Sequence, residues 1–504
     1  MNKENRIWEI ISSVAVYVLA LFVVAINISL SFDNVVWGDE AFSVNTAQNT
    51  FSGIMEILYY YDNHPPLHYF WMKVFGDVFG HSIYVYHWAS LVPFIISIIL
   101  VATLFKKQFG NIPTMFLVVI LGLGYFCIEY NLEIRMYSLA FLGVLMTFYC
   151  AYRVISEGKK RTYTGMVLWA LLAAYSHYYG LVTVGILMFM TTVAVCLKNR
   201  GKSWIKGTIS MVAFLVCYAP WLYCLFNSIR NVSRSWWMTD ILSLRRTISM
   251  ILGGHGFNRW ILALLAVLCS VLLVAESEVL GVKSEDGKRR LRIKKPTVNN
   301  WSDETVAVVV GLATIIGTVG FAYFICYVFK PMLAQRYMYP LSAVTFVTLA
   351  VAMSRVFKLL HKYKYSHSGL VKSEKIIKGI SLVVLALFIG IGLGNFNVYR
   401  DIAIDQENKT KATLSLIGEP EEDTMFVTNG VKHLGWTIFP CYFPETEFLN
   451  GNCFGATKDK FWYFNPTPIS EEDIKRLTEM GYNVISYGQM QISQYVFSLY
   501  YMEK

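Results

Sequence analysis

The sequence predicts an all-α polytopic membrane protein of about eleven transmembrane helices, closed by a small C-terminal α/β domain. Three observations predict it. The 504 residues are 55% hydrophobic and 15% charged, with mean hydropathy +0.45, whereas a soluble chain places charge at about a quarter of its positions. Apolar stretches near the roughly 20 residues that cross a bilayer recur from the N-terminus to about residue 400. Lys and Arg collect in alternate connections between these stretches, the pattern that fixes the orientation of a membrane protein. The formal charge of +10 therefore reports topology and gives no reason to expect a nucleic-acid partner.

The candidate spans lie near residues 10–30, 88–105, 112–128, 137–153, 163–179, 180–197, 207–226, 260–277, 305–328, 337–354 and 379–396. The third and fifth are short. The first shows no cleavable signal and reads as a retained helix that starts the topology. Placing the N-terminus in the cytoplasm puts more than half of the 44 Lys and Arg inside. They sit at Lys106 and Lys107, at Lys159 to Arg161, at Lys198 to Lys206, in the run Lys283 to Lys295, and between Arg355 and Lys378. The C-terminus is then outside. Tyr59, Tyr60, Tyr61, Trp236 and Trp237 read as interfacial aromatic residues.

Residues 1–400 thus form a membrane domain, and residues 401–504 form an extracytoplasmic tail. The tail becomes polar, with strand-like runs at Met425 to Thr428 and Val484 to Tyr487. Ser470, followed by Glu471, Glu472 and Asp473, reads as a helix N-cap with acids on the first turn. The nine cysteines show no CxxC spacing. Most are small core residues, while Cys441 and Cys453 in the tail are placed where a disulfide could form.

Chemistry gathers on one side. The outer loop 31–87 carries Asp39, Glu40 and His64. The outer connection Ile128 to Leu139 carries Glu129, Glu133 and Arg135. The next carries His177, Tyr178 and Tyr179, and a late one carries Lys330, Arg336 and Tyr337. The cores of the helices between them hold no Asp, Glu, Lys or Arg. An ion-coupled transporter usually keeps ionisable groups at the midplane, so lipid or polysaccharide transport is the alternative reading rather than the first. Acids and cations at a membrane face suit group transfer from a lipid-linked substrate. A carboxylate takes the proton of an acceptor hydroxyl, and Arg and other donors hold a leaving phosphate.

Five segments carry a resemblance: WGDEA (Trp37 to Ala41), HPPLHYFWMKVFG (His64 to Gly76), NLEIRMYSL (Asn131 to Leu139), SHYYG (Ser176 to Gly180) and AQRYMYP (Ala334 to Pro340). In this order they resemble the dolichyl-phosphate-mannose protein mannosyltransferase and aminoarabinose transferase group, which are GT-C fold glycosyltransferases. The resemblance implies a polyprenyl-phosphate sugar donor in the membrane lipid. It also implies an extracytoplasmic acceptor (lipid, glycan or protein) and inversion by single displacement. It makes Asp39 the base, counts Glu40 and Glu133 with it as catalytic acids, and puts Glu133 and Arg135 in the second outer-loop motif. His64 fills the slot before Pro-Pro where aminoarabinose transferases have a lysine that meets the carrier phosphate. Arg336 and Tyr337 match the late motif assigned to phosphate binding, a role that Arg135 shares. His177 and Tyr178 line the substrate. Asn63 stands where the group has an acid, so a metal ligand is not supported there, although Asp39 with Glu40 can attract a hard divalent cation. Each residue also has a plainer reading. Glu40 can stabilise the loop, Glu133 and Arg135 can pair structurally, and Arg336 can snorkel from a helix end.

Overall fold

The computed structural model describes residues 3–31, 35–198, 201–234, 238–275, 278–283, 289–294, 300–364, 371–431 and 433–504. Trp236 and Trp237 lie outside them. The helices are α1 (Lys3–Ser29), α2 (Gly38–Ala47), α3 (Phe51–Tyr60), α4 (Leu67–Phe79), α5 (Ile83–Leu100), α6 (Lys106–Phe109), α7 (Asn111–Leu123), α8 (Tyr125–Leu132), α9 (Tyr137–Glu157), α10 (Lys160–Ser176), α11 (Tyr178–Leu197), α12 (Ser203–Arg234), α13 (Leu244–Ile251) and α14 (Phe257–Ala275). After a hairpin of β1 (Glu278–Lys283) and β2 (Arg289–Lys294) come α15 (Asp303–Val328), α16 (Tyr339–Lys364) and α17 (Val371–Ile417).

Nine helices among the described residues are each long and apolar enough to cross a membrane. The two other expected spans are the two short ones, and the structure shows why. The third is broken into α7 and α8, bent by 61°. The fifth is α10, whose 17 residues reach only about 25 Å at 1.5 Å per residue. Helices α9 and α16 are the most deeply buried spans.

The break falls at Gly124, whose extended backbone ends α7 and leaves the last carbonyls of that helix without helical partners. Three buried asparagines supply them. Asn131 Nδ2 donates to Leu121 O (3.2 Å), Asn27 Nδ2 to Gly122 O (2.9 Å) and Asn395 Nδ2 to Leu123 O (3.3 Å). They come from α8, α1 and α17. Polar backbone freed inside a membrane bundle has to be satisfied this way, and the bend sends α8 toward the Glu133–Arg135 connection.

The segment between α1 and α5 is structured, with α2, α3 and α4 packed across one end of the bundle. Helix α17 runs 47 residues without stopping where the composition changes near residue 400. It leads into a five-stranded mixed sheet of β3 (Thr424–Thr428), β4 (Phe448–Asn450), β5 (Lys460–Asn465), β6 (Asn483–Ile492) and β7 (Tyr495–Glu503), with α18 (Phe439–Tyr442) and α19 (Glu471–Glu479). The strand order is β4-β3-β5-β7-β6. Strand β3 is parallel to β4 and β5, and β7 is antiparallel to β5 and β6. Both expected strand runs fall within β3 and β6, and Ser470 caps α19 by accepting the Asp473 N–H. Cys441 and Cys453 are both free thiols.

One face of the sheet carries Leu477 of α19. The other shares a core with the loop helices. Val36, Ala41, Val44 and Met72 pack in one cluster with Phe426, Leu434, Phe464 and Phe497.

Candidate active site

The site starts at the N-terminus of α2. Glu40 is its third residue and is 6% exposed. Its Oε2 accepts the Trp37 N–H (3.1 Å) and its Oε1 accepts the Ile134 N–H (2.8 Å). One buried carboxylate thus caps the helix and ties it to the Glu133–Arg135 connection. The adjacent Asp39 has a different partner. Its Oδ2 pairs with Arg336 Nη2 at 2.9 Å, and both side chains remain about a quarter exposed, at 29% and 25%. The Arg336 guanidinium also lies over the Trp37 ring, 5.0 Å from the centroid, in cation–π range.

Arg135 is the second cation, 3% exposed. Its Nη1 donates to Asp39 O (3.1 Å) and Ser43 Oγ (2.9 Å), and its Nη2 lies 3.4 Å from His64 Nε2. An arginine only donates, so Nε2 accepts and Nδ1 carries the hydrogen toward Asp62 Oδ1 at 2.8 Å. Tyr69 donates to Asp62 Oδ2 at 2.7 Å. Burial opposes a charge on Asp62, but His64 and Arg135 outweigh it and hold this carboxyl well below the usual range. Asp62 therefore orients His64, a role the sequence reading missed, although it stands two residues before that histidine. Ser43 was missed as well.

Glu133 and Arg135 bond different groups. Glu133 Oε1 accepts the Trp37 Nε1–H at 3.0 Å. Burial, and then the charge of Glu40, push its carboxyl well above the usual range. Glu133 Oε2, Arg135 Nε and Arg336 Nε are buried without a protein partner among the described residues. His177 is 3% exposed, and its Nδ1 accepts the Tyr179 N–H at 3.1 Å. Burial and the nearby His64 and Arg135 keep its ring neutral. Its ring packs against His64, Tyr137 and Tyr337 at 5.3–6.1 Å between centroids. Tyr178 instead turns to α12, where it accepts the Trp221 Nε1–H at 3.3 Å. Tyr179 takes the inner place, stacked on Tyr337 at 5.9 Å.

A cavity of ≈ 380 Å³ adjoins this cluster, a volume in the range of small-molecule sites. Its lining includes Trp37, Glu129, Glu133 and Arg336, together with Gln406 of α17 and Gln494 of the tail. Among the described residues no group of three or more His, Cys, Asp or Glu could hold a metal ion. Glu40 accepts two backbone N–H groups, and Asp39 pairs with Arg336.

This bundle, with a helical segment after its first span and an acid–arginine cluster at one end, has the architecture of the GT-C fold. Residues 63–224 match the family model for dolichyl-phosphate-mannose-protein mannosyltransferase. That segment holds His64, Glu133, Arg135 and His177, while Asp39 and Arg336 fall outside it. ArnT from Cupriavidus metallidurans shares the fold. Its apo crystal structure superposes with a TM-score of 0.57 at 13% identity over 97% of both chains. Its crystal structure bound to undecaprenyl phosphate gives 0.54 at the same identity and coverage. No curated protein matches the chain. The chain is therefore a multi-pass membrane protein of GT-C type fold, similar to both groups the motifs resemble.

Proposed function

We propose that the protein transfers a sugar from a polyprenyl-phosphate donor to a hydroxyl-bearing acceptor outside the cytoplasm. The observation that carries this is the chain of contacts from Asp39 through Arg336 on one side and Arg135 to His64 on the other. It supports a carboxylate base beside a cationic cradle for a phosphate. The undecaprenyl phosphate in the ArnT crystal structure supports a polyprenyl carrier for this fold.

In this reading Oδ1 of Asp39 takes the proton of the acceptor hydroxyl while its oxygen attacks the anomeric carbon. The bond from that carbon to the phosphate oxygen breaks, and its electron pair leaves with the phosphate. Arg336, Arg135 and His64 stabilise the leaving charge, with Tyr337 against the arginine. Attack opposite the leaving group inverts the configuration. Glu40 holds the two loops together, and Glu133 meets a substrate hydroxyl with its unpartnered Oε2. His177 wall-packs the phosphate side, and Tyr178 braces α11 against α12.

Asp39→Asn keeps the shape and removes the base. In membranes supplied with polyprenyl-phosphate sugars, the expected loss of polyprenyl phosphate release is on the order of a hundredfold or more at matched expression. Equal turnover in both proteins refutes Asp39 as the base. If neither releases carrier, while lipid or glycan crosses the bilayer only when the protein is present, the molecule is a transporter.

A further inference from the structure

The hairpin turn between β6 and β7 reaches into the site. Ser493 is the one non-glycine residue with positive φ (54°) among the described residues, a conformation that costs energy and persists only when its surroundings impose it. Here they do. The Ser493 N–H donates to Thr410 Oγ1 of α17 (2.8 Å), Gln491 Nε2 donates to Ser493 O (2.6 Å), and Thr413 Oγ1 donates to Gln491 O (2.8 Å). The long helix therefore clamps the turn. What the turn presents is Tyr495, whose Oη accepts the Gly38 N–H at 3.3 Å and the Gln494 Nε2–H at 3.4 Å. Its ring stacks on His433.

Gly38 opens α2, and its N–H is one that no helical carbonyl can reach. The residue before it is Trp37, which has no side-chain oxygen to cap the helix, in place of the usual Ser, Thr, Asp or Asn. Tyr442 of the tail likewise accepts the Val36 N–H at 3.2 Å. Two tail tyrosines thus hold the backbone that leads into Asp39. The fit is tight, since a Cβ on Gly38 would lie 2.7 Å from Tyr495 Oη and 3.0 Å from His433 Nδ1. Ser493 and Gln494 also close the acid-lined cavity.

We infer that Tyr495 is a positioning residue for the transfer reaction, with the β6–β7 turn setting the N-terminus of α2 and hence the aim of Asp39. This rests on the transferase reading above. A displacement near 1 Å at a reacting group can cost up to a hundredfold in rate, so one lost hydrogen bond here should reach turnover.

The test uses the full-length protein in lipid nanodiscs. Tyr495→Phe keeps the ring on His433 and removes the accepting oxygen. Hydrogen–deuterium exchange of peptides covering Val36 to Phe42 should quicken about tenfold, and kcat should fall about tenfold while KM for the donor stays within about twofold. Tyr487→Phe, in the same sheet and packed on Trp462, should change neither. Gly38→Ala should be inactive, and adding Tyr495→Phe to it should recover part of the loss by removing the nearest atom. Unchanged exchange in Tyr495→Phe overturns the inference, as does quickened exchange with unchanged kcat. A wild type that turns over no donor defeats the transferase reading instead, and the exchange arm still decides whether Tyr495 holds α2.

Discussion

His68 shows how the site sets protonation one side chain at a time. It is 1% exposed, one turn beyond His64, and makes a backbone hydrogen bond with Ile134. Burial, and then the charge of Arg135, push its pKa down to about 3. The unfolded chain binds a proton at this residue near pH 6.5, and the folded chain does so only near pH 3. Between these values the unfolded state holds the extra proton, so this residue makes the protein less stable as the pH falls. Glu133, raised by burial and by Glu40, acts with the opposite sign. The wild type should therefore be compared with His68→Gln, which keeps a donor for Ile134. Between pH 6 and 4 the wild type should lose about 1.4 kcal/mol more per pH unit than the variant, read from thermal unfolding in detergent. Parallel curves would show that His68 titrates normally. Sequence made Asp39, His64, Arg135 and Arg336 legible because charged side chains beside apolar spans stand out. Ser43 stayed hidden because its partner Arg135 is distant in the chain, Asp62 because its contact with His64 depends on how the turn between them folds, and the two backbone N–H groups that Glu40 joins belong to separate loops.

At the scale of elements, the broken span does what a straight helix could not. It turns α8 aside and puts Glu129, Glu133 and Arg135 beside α2. Apolar length alone gave the span, because hydropathy is blind to one glycine in an extended conformation. Its cost shows in the three asparagines, which in sequence look like minor interruptions of apolar helices. Asn27 is fully buried and donates to both Val23 O and Gly122 O. Asn27→Leu should destabilise the protein by about 1–3 kcal/mol, the cost of leaving a buried carbonyl unpaired. Asn49→Leu, at the exposed end of α2, should cost less than about 0.5 kcal/mol. Chemical unfolding in mixed micelles would measure both. Equal effects would mean that water or lipid satisfies the Gly122 carbonyl, and that the break needs no asparagine.

For the whole molecule, the tail and the loop helices α2 and α4 share one core. Phe426, Phe464 and Phe497 of the tail share it with Ala41 and Val44 of α2, a joining that the change of composition along the chain does not reveal. The two ends of the bundle also differ in charge. At the end away from the site, Lys106 bonds Ser13 and Tyr17, Lys198 pairs with Asp303, and Lys358 pairs with Glu304. Cations concentrated at one end determine orientation by resisting translocation, and the pairing of some of them within the fold does not remove the lysines during insertion. Lys106, Lys107, Lys198 and Lys358 should therefore face the cytoplasm, with Asp39, Arg336 and the sheet outside. Alkaline phosphatase fused after Lys504 should be active, and a green fluorescent protein fused there should stay dark. Replacing Lys106 and Lys107 with Gln leaves the other basic connections in place, so this pair alone should not reverse the result. A fluorescent C-terminal fusion would place the sheet inside. It would also separate the site from any acceptor beyond the membrane, so the same measurement bears on the extracytoplasmic half of the proposed reaction.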